Sequence, residues 1–277
     1  MILLILLSLL LVFLIVWWIY SDLDSIFFNP DRIIYPVCQR SDLNYSDVYI
    51  GSEENMLHGW FVHSPNKTTD LVLFVCHGTK GNLTTPFRVD LTRTLSMTGM
   101  DLFIFDYRGT GESLGRISRE SVLADASRAW DHLVKDRGIP GDRIIVFGRS
   151  LGGPVAAFLA SVKMPHLLVL ESTFPVLSEE VSSFMPSFLS PLAKYVLGQR
   201  FNTQKHLRNV SCPVVFLHGD RDRLVPYRLG RKLFENYTSQ NKIFVTMKGL
   251  GHKGFYVERE KYIDSFLEGL KRSGSLF

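Results

Sequence analysis

Residues 143–153 read RIIVFGRSLGG, and this stretch decides the fold. Ile144 to Phe147 is an unbroken apolar run, as expected of a strand covered on both faces. It runs into Gly148-Arg149-Ser150-Leu151-Gly152, followed by Gly153 and an alanine-rich stretch with helical character. A Gly-x-Ser-x-Gly segment between strand and helix makes a sharp turn, because its small residues let the backbone double back and push the serine hydroxyl out above the sheet. The helix that follows aims its first amides at negative charge developing there. Ser150 is therefore the candidate nucleophile, and the Leu151 amide a candidate oxyanion donor. The alternative is a glycine-rich turn with a solvent-facing serine.

Outward from this turn, short apolar runs alternate with longer amphipathic stretches, the signature of a parallel α/β sheet. The runs are Val48–Gly51, Leu57–Val62, Leu71–Cys76, Asp101–Phe105, Arg143–Phe147, Leu167–Leu170, Val214–Leu217 and Ile243–Met247. The first two lie close together and read as an antiparallel hairpin. The helical stretches are Pro86–Met97, Arg119–Lys135, Leu151–Val162, Tyr227–Tyr237 and Glu258–Lys271. In the second of these, Val122, Ala126, Ala129, Trp130 and Leu133 recur at helical spacing, and Ser118 can cap the start.

A serine hydroxyl needs a base, and the base needs a group to orient it. His252 lies in a glycine-flanked loop, GLGHKG (residues 249–254), after the last strand. Asp222 lies in HGDRDRLVP (residues 218–226), at the end of the preceding strand. Asp220 is a rival acid two residues away. Asp222 is preferred because Leu224-Val225-Pro226, just beyond it, can begin the next helix. His77 and His218, each before a glycine at a strand end, read as structural. The turn after the first parallel strand, HGTKGN (residues 77–82), can supply a second oxyanion amide, best placed at Thr79. This turn lacks the GxxxxGK[ST] spacing of a phosphate-binding loop.

The chain has 277 residues, a net charge of +4 and 46% hydrophobic residues, which suits one soluble domain and shows no dense basic stripe for nucleic acid. Residues 1–20, MILLILLSLLLVFLIVWWIY, carry no charge. As a helix they would be about 30 Å long, enough to cross the hydrocarbon layer, and Trp17, Trp18 and Tyr20 would sit at one interface. The stretch is expected to be an uncleaved transmembrane anchor, since it has no basic leader and no small-residue cleavage site. Residues 21–46 form a connector and residues 47–277 the catalytic domain. Five N-x-S/T sequons, at Asn44, Asn66, Asn82, Asn209 and Asn236, favour a lumenal or extracellular side for this domain, although Asn82 is close to the proposed site. Cys38, Cys76 and Cys212 are odd in number and show no metal or disulfide spacing.

Residues 174–209 hold Phe184, Met185, Phe188, Leu189, Leu192, Tyr195 and Val196, broken by Pro186 and Pro191. They read as a small helical cap over the sheet's carboxyl edge or as a plain crossover with an apolar face. As a cap, the stretch offers Phe184 and Phe188 as substrate contacts. Arg221 and Arg223 flank the acid and could hold a lipid phosphate, or be surface charge.

HGTKGN, FDYRGTGES, GRSLGG, ESTF, HGDRDRLVP and GHKG occur in this order. Together they resemble the membrane-anchored branch of the α/β-hydrolase superfamily, which includes abhydrolase-domain lysophospholipases and acyl-protein thioesterases. The resemblance runs from about Asp47 to the C-terminus and implies an α/β-hydrolase fold: a mostly parallel sheet, helices on both faces and a small cap. The chain order Ser150, Asp222, His252 agrees with it. It also makes residues 106–109 a structural turn beside the site, and Thr79-Lys80 a departure where relatives carry smaller residues. The expected reaction is acyl transfer to Ser150 and hydrolysis of the acyl-enzyme, with no metal or organic cofactor. Carboxylic esters or thioesters with an acyl chain are the expected substrates, lysophospholipid or monoacylglycerol first and an acylated protein second. A peptidase would carry a larger cap, and a non-catalytic scaffold would have lost a member of the triad.

Overall fold

The computed structural model describes Leu10 and residues 22–36, 42–52 and 54–276. The expected anchor over residues 1–20 otherwise lies outside the described residues. Among those, no helix is long and apolar enough to cross a membrane.

Eight strands form one sheet. They are β1 (Tyr45–Ile50), β2 (Leu57–Val62), β3 (Val72–Cys76), β4 (Asp101–Phe105), β5 (Ile144–Arg149), β6 (Leu167–Glu171), β7 (Val214–Gly219) and β8 (Lys242–Met247). Their order is β1-β2-β4-β3-β5-β6-β7-β8. β1–β2 and β2–β4 are antiparallel, and all later pairs are parallel. The strands fall where the apolar runs predict them.

β2 to β7 are buried along their whole length, so both faces must be covered. Alternate residues supply two cores. Phe74, Phe105, Val146, Leu170 and Phe216 face one side, against α3 (Arg119–Asp131), α4 (Gly152–Val162) and α8 (Tyr227–Asn236). Val75, Ile104, Phe147, Val169 and Leu217 face the other, against α2 (Pro86–Ser96) and α10 (Arg259–Arg272). The period of two sends successive side chains to opposite cores. The Ser118 capping predicted for α3 is present: its hydroxyl accepts from the Ser121 amide at 3.1 Å, and the Ser121 hydroxyl accepts from the Ser118 amide at 2.8 Å.

Residues 174–209 hold α5 (Leu177–Ser182), a 3-10 turn at Ser187–Leu189, α6 (Ser190–Leu197) and α7 (Thr203–Leu207). An isolated bridge between Val176 and Asn202 closes the base of this excursion. α7 packs back on α4. Phe188, Leu192 and Tyr195, at spacings of four and three, are 77%, 55% and 87% exposed, while Ala193 and Leu197 on the opposite side are buried.

Residues 22–36 of the connector form a strap. α1 (Leu23–Phe28) ends at Asn29, whose left-handed φ of 47° lets its amide donate to Ser25 O at 2.7 Å. Phe28 stacks edge-on against Tyr107 and Phe201, both at 5.4 Å. From there the chain crosses the carboxyl edge of the sheet.

The turn after β5 is where packing is tightest. Ser150 has φ 54°, an uncommon conformation for a non-glycine residue. A Cβ on Gly152 would lie 2.0 Å from Cys76 O and 2.7 Å from His77 O, both backbone atoms of the neighbouring strand end. The strands cannot move apart without breaking the ladder. Gly152→Ala is therefore expected to destabilise the fold by about 3 kcal/mol, the upper end of overpacking costs. A thermal melt checks this, and an unchanged Tm contradicts the close approach.

Candidate active site

Three strand ends deliver the chemistry to one edge. β5 ends at the Ser150 turn, β7 at the Asp222 loop and β8 at the His252 loop, as expected of an open α/β sheet. The Ser150 amide donates to Glu171 O at 3.0 Å, and its carbonyl accepts from the Thr173 hydroxyl at 2.9 Å. These bonds hold the serine in its left-handed conformation, with its hydroxyl beside a cavity of about 710 Å³ that His252 also lines.

Asp222, not Asp220, meets His252. Asp222 Oδ2 lies 2.8 Å from His252 Nδ1, while Oδ1 accepts from the Leu224 and Val225 amides at 2.9 Å each. With Nδ1 protonated and donating to Asp222, Nε2 is left as the acceptor. Asp220 is exposed and accepts from the Gly249 amide at 2.6 Å, which makes it a brace for the His252 loop. Burial and the nearby Arg149 charge push His252 down to about 4, against the pull of Asp222, so the imidazole is neutral and able to take a proton. Burial would raise Asp222, but the hydrogen bond and charge of His252 and the Val225 amide hold it below the usual carboxylate value.

His77 and His218 bond to backbone, in keeping with structural roles. His77 Nδ1 is 2.8 Å from Gly78 O, and His218 Nε2 is 2.9 Å from Val225 O. The turn at residues 106–109 is braced in the same way: Asp106 accepts from the Leu83 amide at 3.1 Å, and the Tyr107 hydroxyl donates to His77 O at 3.2 Å.

Arg149 is a residue that the sequence reading passed over. It is 2% exposed, its Nε donates to Glu171 Oε1 at 2.9 Å, and its Nη2 donates to His252 O. Tyr262 closes the set by donating to Glu171 Oε2 at 2.5 Å. Burial pushes the Glu171 carboxyl up, and Arg149 and Tyr262 pull against it. The signal available in the sequence was a base and an acid, each at the last residue of adjacent strands; the register pairs Arg149 with Glu171.

Thr79 and Lys80 line the same cavity as Ser150. A Cβ on Gly78 would lie 3.2 Å from Ser150 Cβ, so this turn comes close to the serine. Leu151 is buried at the start of α4. The structure does not bring Phe184, Phe188, Arg221 or Arg223 to the cavity lining. Phe184 and Phe188 are 55% and 77% exposed, and both arginines lie at the surface. The strap is there instead: Asp31, Ile33 and Tyr35 form one wall.

Asn82 fastens that strap. Its Nδ2 donates to Asp31 O at 3.0 Å and to Ile33 O at 2.8 Å, while its Oδ1 accepts from the Thr84 amide and hydroxyl. Fully buried and with both amide protons committed, Asn82 has no room for a glycan. The Lys80 amide adds a bond to Phe28 O at 3.0 Å.

Fold and site together define a serine hydrolase. A family model described as serine aminopeptidase, S33, matches residues 67–201. The protein Rv2307c of Mycobacterium tuberculosis is 31% identical over 207 residues, 74% of this chain and 72% of that one. Lysophosphatidylserine lipase ABHD12 of Macaca fascicularis is 30% identical over 227 residues, 73% of this chain but 56% of that longer one. Among solved structures, an α/β hydrolase from Vibrio vulnificus overlaps with TM-score 0.73 at 22% identity, covering 90% of this chain and 92% of that one. The Pyrococcus furiosus esterase Pf2001 overlaps with TM-score 0.69, also at 22% identity, covering 88% and 97%. The chain belongs to the α/β-hydrolase superfamily.

Replacing Asn82 by Asp sets a carboxylate against two carbonyl oxygens and removes both donors. Asn82→Asp is expected to cost about 3 kcal/mol, since each lost buried hydrogen bond costs about 1–3. It should also speed proteolytic cleavage within residues 29–36. Unchanged protection of that segment would show that the strap is held by something else.

Proposed function

We propose that this protein hydrolyses carboxylic esters of acyl-chain substrates through an acyl-enzyme on Ser150. The observation that carries the reading is the 2.8 Å contact of His252 Nδ1 with a buried Asp222, in a cavity shared with a left-handed Ser150. His252 Nε2 takes the Ser150 proton as Oγ attacks the acyl carbonyl. The carbonyl oxygen gains the negative charge, held by the Leu151 and Thr79 amides. Collapse expels the alcohol, which receives the proton from His252. Water, deprotonated by the same imidazole, then attacks the acyl-enzyme and releases the acid and free Ser150. Asp222 fixes the tautomer and stabilises the imidazolium. Every atom and proton is accounted for by these residues and water.

The lipid character of the substrate rests on two supports: the similarity to a lysophosphatidylserine lipase, and the uncharged apolar run at residues 1–20, which would hold the domain at a bilayer. The aminopeptidase description of the matching family makes a peptide the competing substrate. Matched ester and amide substrates separate the two.

Ser150→Ala is expected to lower kcat on a short-chain nitrophenyl ester by about 10⁴-fold or more while leaving the melting temperature near wild type. Asp222→Asn should cost about 10⁴-fold, and Asp220→Asn far less. Retained turnover in Ser150→Ala removes Ser150 as nucleophile, and the reverse ranking of the two aspartates moves the acid to Asp220. Faster cleavage of the amide than of the ester would favour the peptidase.

A further inference from the structure

We propose that Arg88 is a positioning residue, which aims the Thr79 amide at the reacting carbonyl oxygen by gripping the other side of the same peptide. The inference rests on the oxyanion role proposed for Thr79 and gives that role its mechanical cause.

Arg88 stands in the first turn of α2 and is fully buried. Its Nη2 donates to Gly78 O and to Lys80 O, both at 3.2 Å. These two carbonyls flank Thr79. The Gly78 carbonyl and the Thr79 N–H belong to one planar trans peptide and point in opposite directions. Arg88 shares the Gly78 oxygen with His77 Nδ1, 2.8 Å away, and holding the carbonyl on that side turns the N–H to the opposite side. Gly78 there approaches Ser150, and Thr79 lines the cavity. The turn needs such a grip, because it contains Lys80 at φ 64° and Gly81 at φ 69°, conformations that its own sequence does not enforce.

The charge matters as well as the geometry. Among the described residues, no carboxylate lies within ion-pair distance of Arg88, and its Nε and Nη1 have no acceptor. A buried guanidinium with no anion in ion-pair contact is costly, and burial lowers its pKa to about 10 against the pull of the Asp106 charge nearby. A cation behind the Gly78 carbonyl draws electron density through the peptide and makes the Thr79 N–H a stronger donor. Its field also favours the oxyanion over the neutral ester, so the cost of burial is offset when charge develops on the carbonyl oxygen.

This role differs in its kinetics from a role in binding substrate or in holding the fold. Arg88→Met and Arg88→Lys are to be compared with wild type on a neutral nitrophenyl butyrate, together with the affinity of a trifluoromethyl ketone that forms a tetrahedral adduct. Arg88→Met is expected to lose about 10²-fold in kcat with KM within about threefold, as removal of an oxyanion donor does. The ketone should weaken by a similar factor. Arg88→Lys, which keeps the charge but lacks the planar guanidinium that fixes the direction of the two N–H bonds, should recover part of both. Should Arg88→Met fail to fold, the Lys variant carries the test alone: kcat and ketone affinity fall together while KM holds.

Unchanged kcat and ketone affinity in a folded variant overturn the inference, as does a rise in KM with kcat retained, which would make Arg88 a substrate contact. Phosphonate labelling of wild-type Ser150 separates the two levels. If wild type labels there and the Arg88 variants keep full turnover, only this inference fails. If wild type does not label, the reading beneath it fails.

Discussion

The buried pair of Arg149 and Glu171 fixes where the site's parts stand. It joins the last residues of two neighbouring parallel strands, and from that junction it reaches the His252 loop through Arg149 and α10 through Tyr262. Phe87 and Phe255 face the guanidinium, at 5.6 Å and 4.9 Å from ring centroid to Cζ. A buried ion pair adds little net stability over a well-packed apolar substitute, whereas removing one partner alone costs about 3–5 kcal/mol. Its value here is positional, because the serine-bearing turn and the histidine loop are held by one side chain. The same charge helps keep His252 neutral.

On that frame the serine turn is a small-residue problem. A left-handed serine is sustained only if its neighbours over-determine it. Glu171 O accepts from its amide, the Thr173 hydroxyl donates to its carbonyl, and Gly152 lets the next helix start against β3. α2 then brings Arg88 under the facing turn and the strap covers it from outside, so that the cavity is walled by segments distant in sequence.

Much of this was legible in the sequence because it is periodic or local. Apolar runs predict strands whatever the tertiary setting, and a strand–turn–helix around Gly148 to Gly152 has few conformations open to it. The choice of Asp222 over Asp220 was readable for a related reason: the Leu224-Val225 segment turns into a helix, so its amides fold back onto the Asp222 carboxylate. The strap was not readable. Residues 29–35 have no periodicity, and they are held by bonds to distant segments: the Asp31 and Ile33 carbonyls accept from Asn82, which looks in the sequence like a glycan acceptor, the Tyr35 amide donates to the Thr84 hydroxyl, and Arg32 donates to the Gly109 and Gly115 carbonyls. The flanking arginines were open to two readings, and nearness in sequence to Asp222 does not put Arg221 and Arg223 in the cavity lining: both lie exposed. Phe184 and Phe188 have apolar character without burial, and composition alone does not say which side of a helix packs.

The central claim is that Ser150 Oγ is the nucleophile that carries the acyl group. Reaction of the folded protein with a fluorophosphonate, followed by intact mass and peptide mapping, tests it directly. The account predicts a single adduct on the peptide carrying Ser150, absent when the protein is unfolded beforehand. An adduct on another residue, or none while ester hydrolysis proceeds, would contradict it.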